Sequence, residues 1–246
     1  MTKLKFKLTD ETIEVFDKTL HRIEALKDFS NIKKGDKGGF IEKEENLSHL
    51  GNAWVYDDAK VFDNAVVKNN AKIRNHAQIY GHAHIVGNAR VCGMAQIYGN
   101  SIIGNYARIH NEVIICGYST IGGNVIICNN AIIKDVEIFG NAIISHDAKI
   151  LSNKDYIVFK NWWSSGRYFT WTRSNNMWSV GCFYGTGKEL IEKAYKDSEL
   201  SGNEYKRIVE YVNSINNCPE NSIFQDFFYI IHVITNKTNC NERKRF

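Results

Sequence analysis

At 246 residues, with 43% of them hydrophobic, the chain is long enough for one or two domains with a sizeable core and too apolar to be disordered. A formal net charge of +4 is too mild to single out nucleic acid as a partner, and no apolar run reaches the length of a bilayer span. The six cysteines, Cys92, Cys116, Cys128, Cys182, Cys218 and Cys240, contain no CxxC pair and no zinc-ribbon spacing, so free thiols in a reducing cytoplasmic setting are expected.

The opening MTKLKFKLTDETIEVF alternates charged and apolar residues and lacks the apolar core of a signal peptide. LKFKL, TIEVF and HRIEAL predict strands over residues 3 to 29, within a β cap spanning 1-38. Such a cap suits the long repeat that begins a few residues later. From Gly51 the chain reads in sixes: GNAWVY, DDAKVF, DNAVVK, NNAKIR, NHAQIY, GHAHIV, GNARVC, and onward. Position five is Val or Ile, position three is mostly Ala, Ser or Val, and Gly, Asn or Asp opens nearly every unit. After Lys134 one residue is missing (DVEIF), and the register resumes with GNAIIS.

Positions three and five have the same parity, so in extended chain both point to one side and fill a narrow interior. Positions four and six then face outward. Gly, Asn and Asp suit a tight corner because they tolerate positive φ. The repeats occupy 39-153, and an open end of such a stack would expose unpaired backbone.

Residues 154-246 change pattern. DYIVFKNWWSSGRYFTWTRSNNMWSVGCF predicts three strands with two turns. Two helices come next, opened by capping boxes at Thr186 with Glu189 and at Ser201 with Glu204. Tyr205, Ile208, Val209, Val212 and Ile215 make one apolar helix face. FQDFFYIIHVI, beyond Pro219, is too short to span a membrane and is expected as a buried strand or helix before a basic tail.

The repeated units resemble the hexapeptide-repeat family, whose pattern of aliphatic, x, Gly, x, small, x winds a left-handed parallel β-helix. The resemblance implies a mainly β fold: a three-sided prism of about six coils with a β-rich N-terminal cap and a small C-terminal α+β domain. The family includes acyltransferases and γ-class carbonic anhydrases and is very often trimeric, so a homo-trimer is implied. KKGDKGGFIEKEENLSHLGNAWVYDDAKVF and WSVGCFYGTGKELIEKAYKDSELSGNEYKRIVEYV resemble, more narrowly, uncharacterised phage and prophage proteins. A single proline with many Asn and Lys residues fits low-GC phage or bacterial coding.

With three units per coil, residues eighteen apart stack about 4.8 Å from coil to coil. One face then carries Trp54, Lys72, Arg90 and Arg108, and beside them Tyr56, Arg74, Cys92, His110 and Cys128. Cations next to aromatics suit a phosphate-bearing or other acidic ligand, and a solvated face is the plainer alternative. A second face stacks Phe62, Tyr80 and Tyr98, expected to contact another domain or subunit. Ile102, Ile114, Ile126, Ile132 and Ile143 face outward and predict a docking surface for residues 154–246 or a trimer interface.

No metal is expected. Cys92 and Cys128 lie two coils apart, about 9–10 Å, too far to share one zinc. His76, His82 and His84 do not match the carbonic anhydrase spacing of H-x4-H. Acyltransferases of the family interrupt a coil with a loop bearing a catalytic His, and no loop interrupts Gly51 to Lys134. Three functions are therefore weighed, in this order. The first is a non-catalytic binding protein of phage type, without cofactor, engaging an acidic small molecule, nucleotide or host protein, counter-defence included. The second is an acyltransferase using acyl-CoA, with His82, His84 or His110 as base. The third is a structural oligomer. No membrane and no nucleic-acid partner is expected.

Overall fold

The computed structural model describes residues 4–216. Cys218, Cys240, the apolar run FQDFFYIIHVI and the basic tail lie outside the described residues.

The chain opens with an antiparallel hairpin of β1 (Phe6–Val15) and β2 (Lys18–Ala25). Phe16 and Asp17 between them both take positive φ, 48° and 60°, the geometry that matches the twist of a two-residue hairpin loop. β2 pairs antiparallel with β3 (Lys37–Ile41), and β3 continues in parallel onto Lys60–Val61. The leader thereby extends one wall of the prism into a nine-stranded sheet.

From Trp54 to Ile150 the chain is a left-handed parallel β-helix with strands at six-residue intervals on three walls. The first wall runs from Trp54–Val55 to Ile143–Ile144, the second from Lys60–Val61 to Lys149–Ile150, the third from Val66–Val67 to Glu137–Ile138. Registers are fixed: Lys72 pairs with Arg90, Gln78 with Gln96, His84 with Ile102. Every position-five Val or Ile in this stretch is buried, and so is every small residue at position three. Full burial of such an aliphatic side chain is worth about 1.5–3 kcal/mol, and the narrow interior closes because Ala leaves room for the Ile opposite. Where serine replaces alanine, the hydroxyl is satisfied: Ser101 and Ser119 donate to the Tyr98 and Cys116 carbonyls, each at 2.7 Å.

The corners explain position one. At Gly93 (φ 78°) a Cβ would lie 2.6 Å from the Asn111 backbone nitrogen of the next coil. Asp and Asn at this position serve differently, since their side chains accept from the next corner: the Asn75 N–H donates to Asp57 Oδ2 (2.8 Å) and the Gly81 N–H to Asp63 Oδ2 (3.0 Å). The deletion after Lys134 is absorbed at one such corner. In earlier coils a backbone carbonyl accepts the corner N–H, as Gly99 does from His82 and Gly117 from Asn100, both at 2.8 Å. One coil further on, the acceptor for Tyr118 N–H is the Asp135 carboxylate, at 2.9 Å. A side chain stands in for the missing peptide.

Both ends of the stack are closed by chemically matched groups. Carbonyls of the first coil receive the Phe40 N–H (on Ala59), the Glu42 N–H (on Val61), the Ser48 N–H (on Val67), Asn46 Nδ2 (on Ala65) and Lys5 Nζ (on Ala53). At the far end N–H groups of the last coil donate to side-chain oxygens: Ile143 to Thr170 Oγ1, Lys149 to Ser174 Oγ, and Leu151 to the Asp155 carboxylate. Most of the strand edge that would otherwise template further pairing is thus taken up within the chain.

The C-terminal unit is a four-stranded antiparallel sheet, Tyr156–Lys160, Tyr168–Thr172, Met177–Val180 and Phe183–Gly185, followed by α1 (Gly187–Asp197) and α2 (Glu199–Asn216). The sequence pattern shows only three strands, because Phe183–Gly185 is too short for alternation to register. The capping box of Thr186 and Glu189 is present as read. The second helix starts before Ser201: the Ser198 hydroxyl accepts the Ser201 N–H (3.1 Å), so Ser198 is the cap and Ser201 is buried in the first turn. Phe169, Trp171, Trp178, Leu190, Tyr205, Val209 and Val212 form this unit's core.

Candidate anion-binding wall

The first wall carries one continuous column at position four: Trp54, Lys72, Arg90, Arg108, Ile126 and Ile143 in register. Parallel pairing sets neighbouring rungs about 4.8 Å apart, so three cations project in succession from one flat surface. Arg90 and Arg108 are exposed and Lys72 is half-buried. Among the described residues no carboxylate pairs with Lys72, Arg74, Arg90 or Arg108. Some cations elsewhere are neutralised, as where Lys18 meets Glu42 and Asp63.

Trp54 does not belong to the open surface. It is 1% exposed, with Phe29 at 5.3 Å and Phe6 at 6.4 Å, both edge-on to its ring. Parity places its side chain outward, but the leader folds back over that rung and buries the indole. Tyr56 and Arg74 occupy each other: the guanidinium lies over the ring at 4.1 Å, and the phenol donates to Asn31 Oδ1 at 3.1 Å. Arg74 therefore leans toward the leader, which leaves Lys72, Arg90 and Arg108 as the free column.

Beside that column Cys92 Sγ lies 3.1 Å from His110 Nδ1. Burial pushes the Cys92 thiol up, with Arg74 opposing, while burial first and the Arg108 charge second pull His110 below the usual imidazole range. Both shifts favour the uncharged forms, and the thiol and the imidazole share one hydrogen bond whose donor is set by the ring tautomer. Burial raises Cys128 too. Among the described residues no three His, Cys, Asp or Glu side chains converge as a metal site.

His82 and His84 are not gathered with His110. His84 sits on the third wall between Val66 and Ile102, and His82 turns out at the corner preceding it. The aromatic ladder is formed as read, with Phe62 on Tyr80 at 5.0 Å and Tyr80 on Tyr98 at 4.8 Å, all nearly parallel. Phe62 is 1% exposed under Leu20 and Phe40 of the leader. Tyr80 spends both ring faces on its neighbours, while Tyr98 ends the ladder with one face on Tyr80. The outward isoleucines divide among three walls: Ile126 and Ile143 on the first, Ile114 and Ile132 on the second, Ile102 on the third. Of these Ile143 meets the C-terminal sheet, where its N–H donates to Thr170, Ser145 meets Ser179 at 3.2 Å, and the next residue, His146, stacks on Tyr184.

One residue beside the cations escapes the reading by rows four and six. Position two lines the edge of the same wall with Asn52, Asn70, Asn88, Tyr106, Asn124 and Asn141. Its signal is the break in an otherwise uniform amide column. Compared with protein-family models and with curated proteins, the chain matches none.

Proposed function

We propose that the chain is a non-catalytic binding protein that holds an anionic ligand on the Lys72–Arg90–Arg108 wall. The observation that carries this is a register-locked column of cations without carboxylate partners among the described residues. Two arginines on adjacent rungs offer paired N–H donors to phosphate oxygens, the arrangement that favours guanidinium over ammonium. Lys72 extends the same line. The wall is also framed, by the leader over Trp54 at one end and by the C-terminal sheet at Ile143 at the other.

The resemblance of the repeats to hexapeptide-repeat proteins, and of the flanks to phage and prophage proteins, supports a counter-defence role in the host cytosol, where sequestration without turnover is enough. The same resemblance supports a trimer, which light scattering on the purified protein tests directly. Against acyl transfer stand the separation of His84 from His110 on different walls and the absence, among the described residues, of a carboxylate orienting His110.

Isothermal titration with inorganic triphosphate, ATP and acetyl-CoA tests the reading. Arg90→Ala or Arg108→Ala should weaken triphosphate binding about tenfold or more, each removing a charge-assisted hydrogen bond worth about 1.5–3 kcal/mol. Binding unchanged in both variants would refute the site. Acyl transfer from acetyl-CoA that is lost in His110→Ala would establish the enzyme instead.

A further inference from the structure

The amide column at the edge of the cationic wall is a hydrogen-bonded ladder with one gap. Asn52 Nδ2 donates to Asn70 Oδ1 (3.3 Å), Asn70 Nδ2 to Asn88 Oδ1 (3.1 Å), and, beyond the gap, Asn124 Nδ2 to Asn141 Oδ1 (3.1 Å). At the rung between Asn88 and Asn124 stands Tyr106, which cannot relay the chain of amides. Its backbone is unremarkable, the N–H donating to the Gly123 carbonyl at 2.9 Å as its neighbours do. The side chain is 53% exposed, and no ring of another described residue packs on it. A large ring therefore replaces a side chain that would have continued the ladder, and about half of its surface stays open to solvent.

Its position gives the substitution a use. Tyr106, in the corner, and Arg108, on the strand that follows it, are two residues apart and both exposed, and Arg90 lies one rung, about 4.8 Å, from Arg108. A flat ring beside a line of guanidinium groups matches a ligand that joins a planar aromatic group to a short chain of phosphates. We propose that Tyr106 is the stacking platform for the base of a nucleotide whose phosphates lie on Arg108, Arg90 and Lys72. The inference rests on the anion-binding reading above and narrows its ligand class to nucleotides. Stacking on Tyr106 is indifferent to whether the ring belongs to a purine or a pyrimidine, whereas the cation column rewards each added phosphate.

The test uses the full chain, ATP and inorganic triphosphate. Tyr106→Asn restores the amide column, so the variant should melt at or above the wild-type temperature, and any loss of binding is not a loss of fold. ATP should bind this variant about tenfold more weakly, the effect of removing one base–aromatic stack, while triphosphate binds as before. Tyr106→Phe should retain ATP affinity. If wild type binds triphosphate but ATP no more tightly, or if Tyr106→Asn weakens both ligands alike, the nucleotide inference fails and the anion wall stands. If wild type binds neither ligand, both fail.

Discussion

Lys5 offers a direct measurement of what closing the first coil costs. Its side chain is fully buried, its Nζ donates to the Ala53 carbonyl at 2.8 Å, and the Phe29 ring lies 5.3 Å away. Burial first, and the charge of Lys27 second, lower its pKa from 10.5 to about 8. Between about pH 8 and 10.5 the unfolded chain holds a proton that the folded protein has released, so raising the pH through this window stabilises the fold. Below pH 8 both states are protonated and the full penalty is present. At about 1.4 kcal/mol per pH unit the displacement amounts to roughly 3 kcal/mol. The neutral amine is still a donor, so the bond to Ala53 survives the titration. Lys5→Met keeps the stem and removes the charge, leaving the carbonyl unpaired at a pH-independent cost of about 1–3 kcal/mol. Urea unfolding of both proteins from about pH 7.5 to 10.5 gives a difference that cancels the other lysines. Wild type should gain on Lys5→Met by about 2–3 kcal/mol across that range. A flat or falling difference would refute the assignment of a charged, buried cap.

Two further substitutions probe the coil itself. Asp135→Ala removes the acceptor that replaces the missing peptide at the deletion, and because this side chain is 48% exposed the expected loss is about 1 kcal/mol, with faster amide exchange at Tyr118; Asp135→Asn, which keeps an oxygen, should stay near wild type. Ile109→Ala empties an interior position behind Arg108 and should cost about 2–5 kcal/mol in chemical denaturation, while leaving the outward column in place.

The interior and the walls were legible because parity alone decides which side chains point inward, and a six-residue period repeats that decision from coil to coil. The pairing of Lys72 with Arg90 and of Arg90 with Arg108 follows from it. What a single repeat cannot reveal is which outward residues are later covered. Trp54 and Phe62 obey the same parity as Lys72 and Tyr80, yet Phe6, Phe29, Leu20 and Phe40 of the leader close over them. These contacts are long-range in sequence and leave no local trace. The missing residue after Lys134 was visible, but not that the Asp135 carboxylate would take the place of a carbonyl. The start of α2 was misplaced by a competing serine: Ser198 and Ser201 are both good caps, and the end of α1 at Ser198 decides between them. Tyr106 breaks the position-two column in the sequence itself, but it sits in a corner, where the parity that sorts positions three to six gives no direction.

The two caps also determine how much of the first wall a ligand can use. The leader takes the Trp54 rung and the C-terminal sheet takes the Ile143 rung, so the free stretch runs from Lys72 through Arg90 and Arg108 to Ile126. Three spacings of about 4.8 Å make this about 14 Å. The cations occupy its leader side and Ile126 its far side, with Tyr106 flanking Arg108 at the change from charged to apolar. On the nucleotide proposal, a ligand aligned with the prism axis would bind in one direction only, its phosphates toward the leader. The repeat supplies the spacing of that line, the caps supply its length, and the single departure from asparagine at position 106 marks the end where the charge stops.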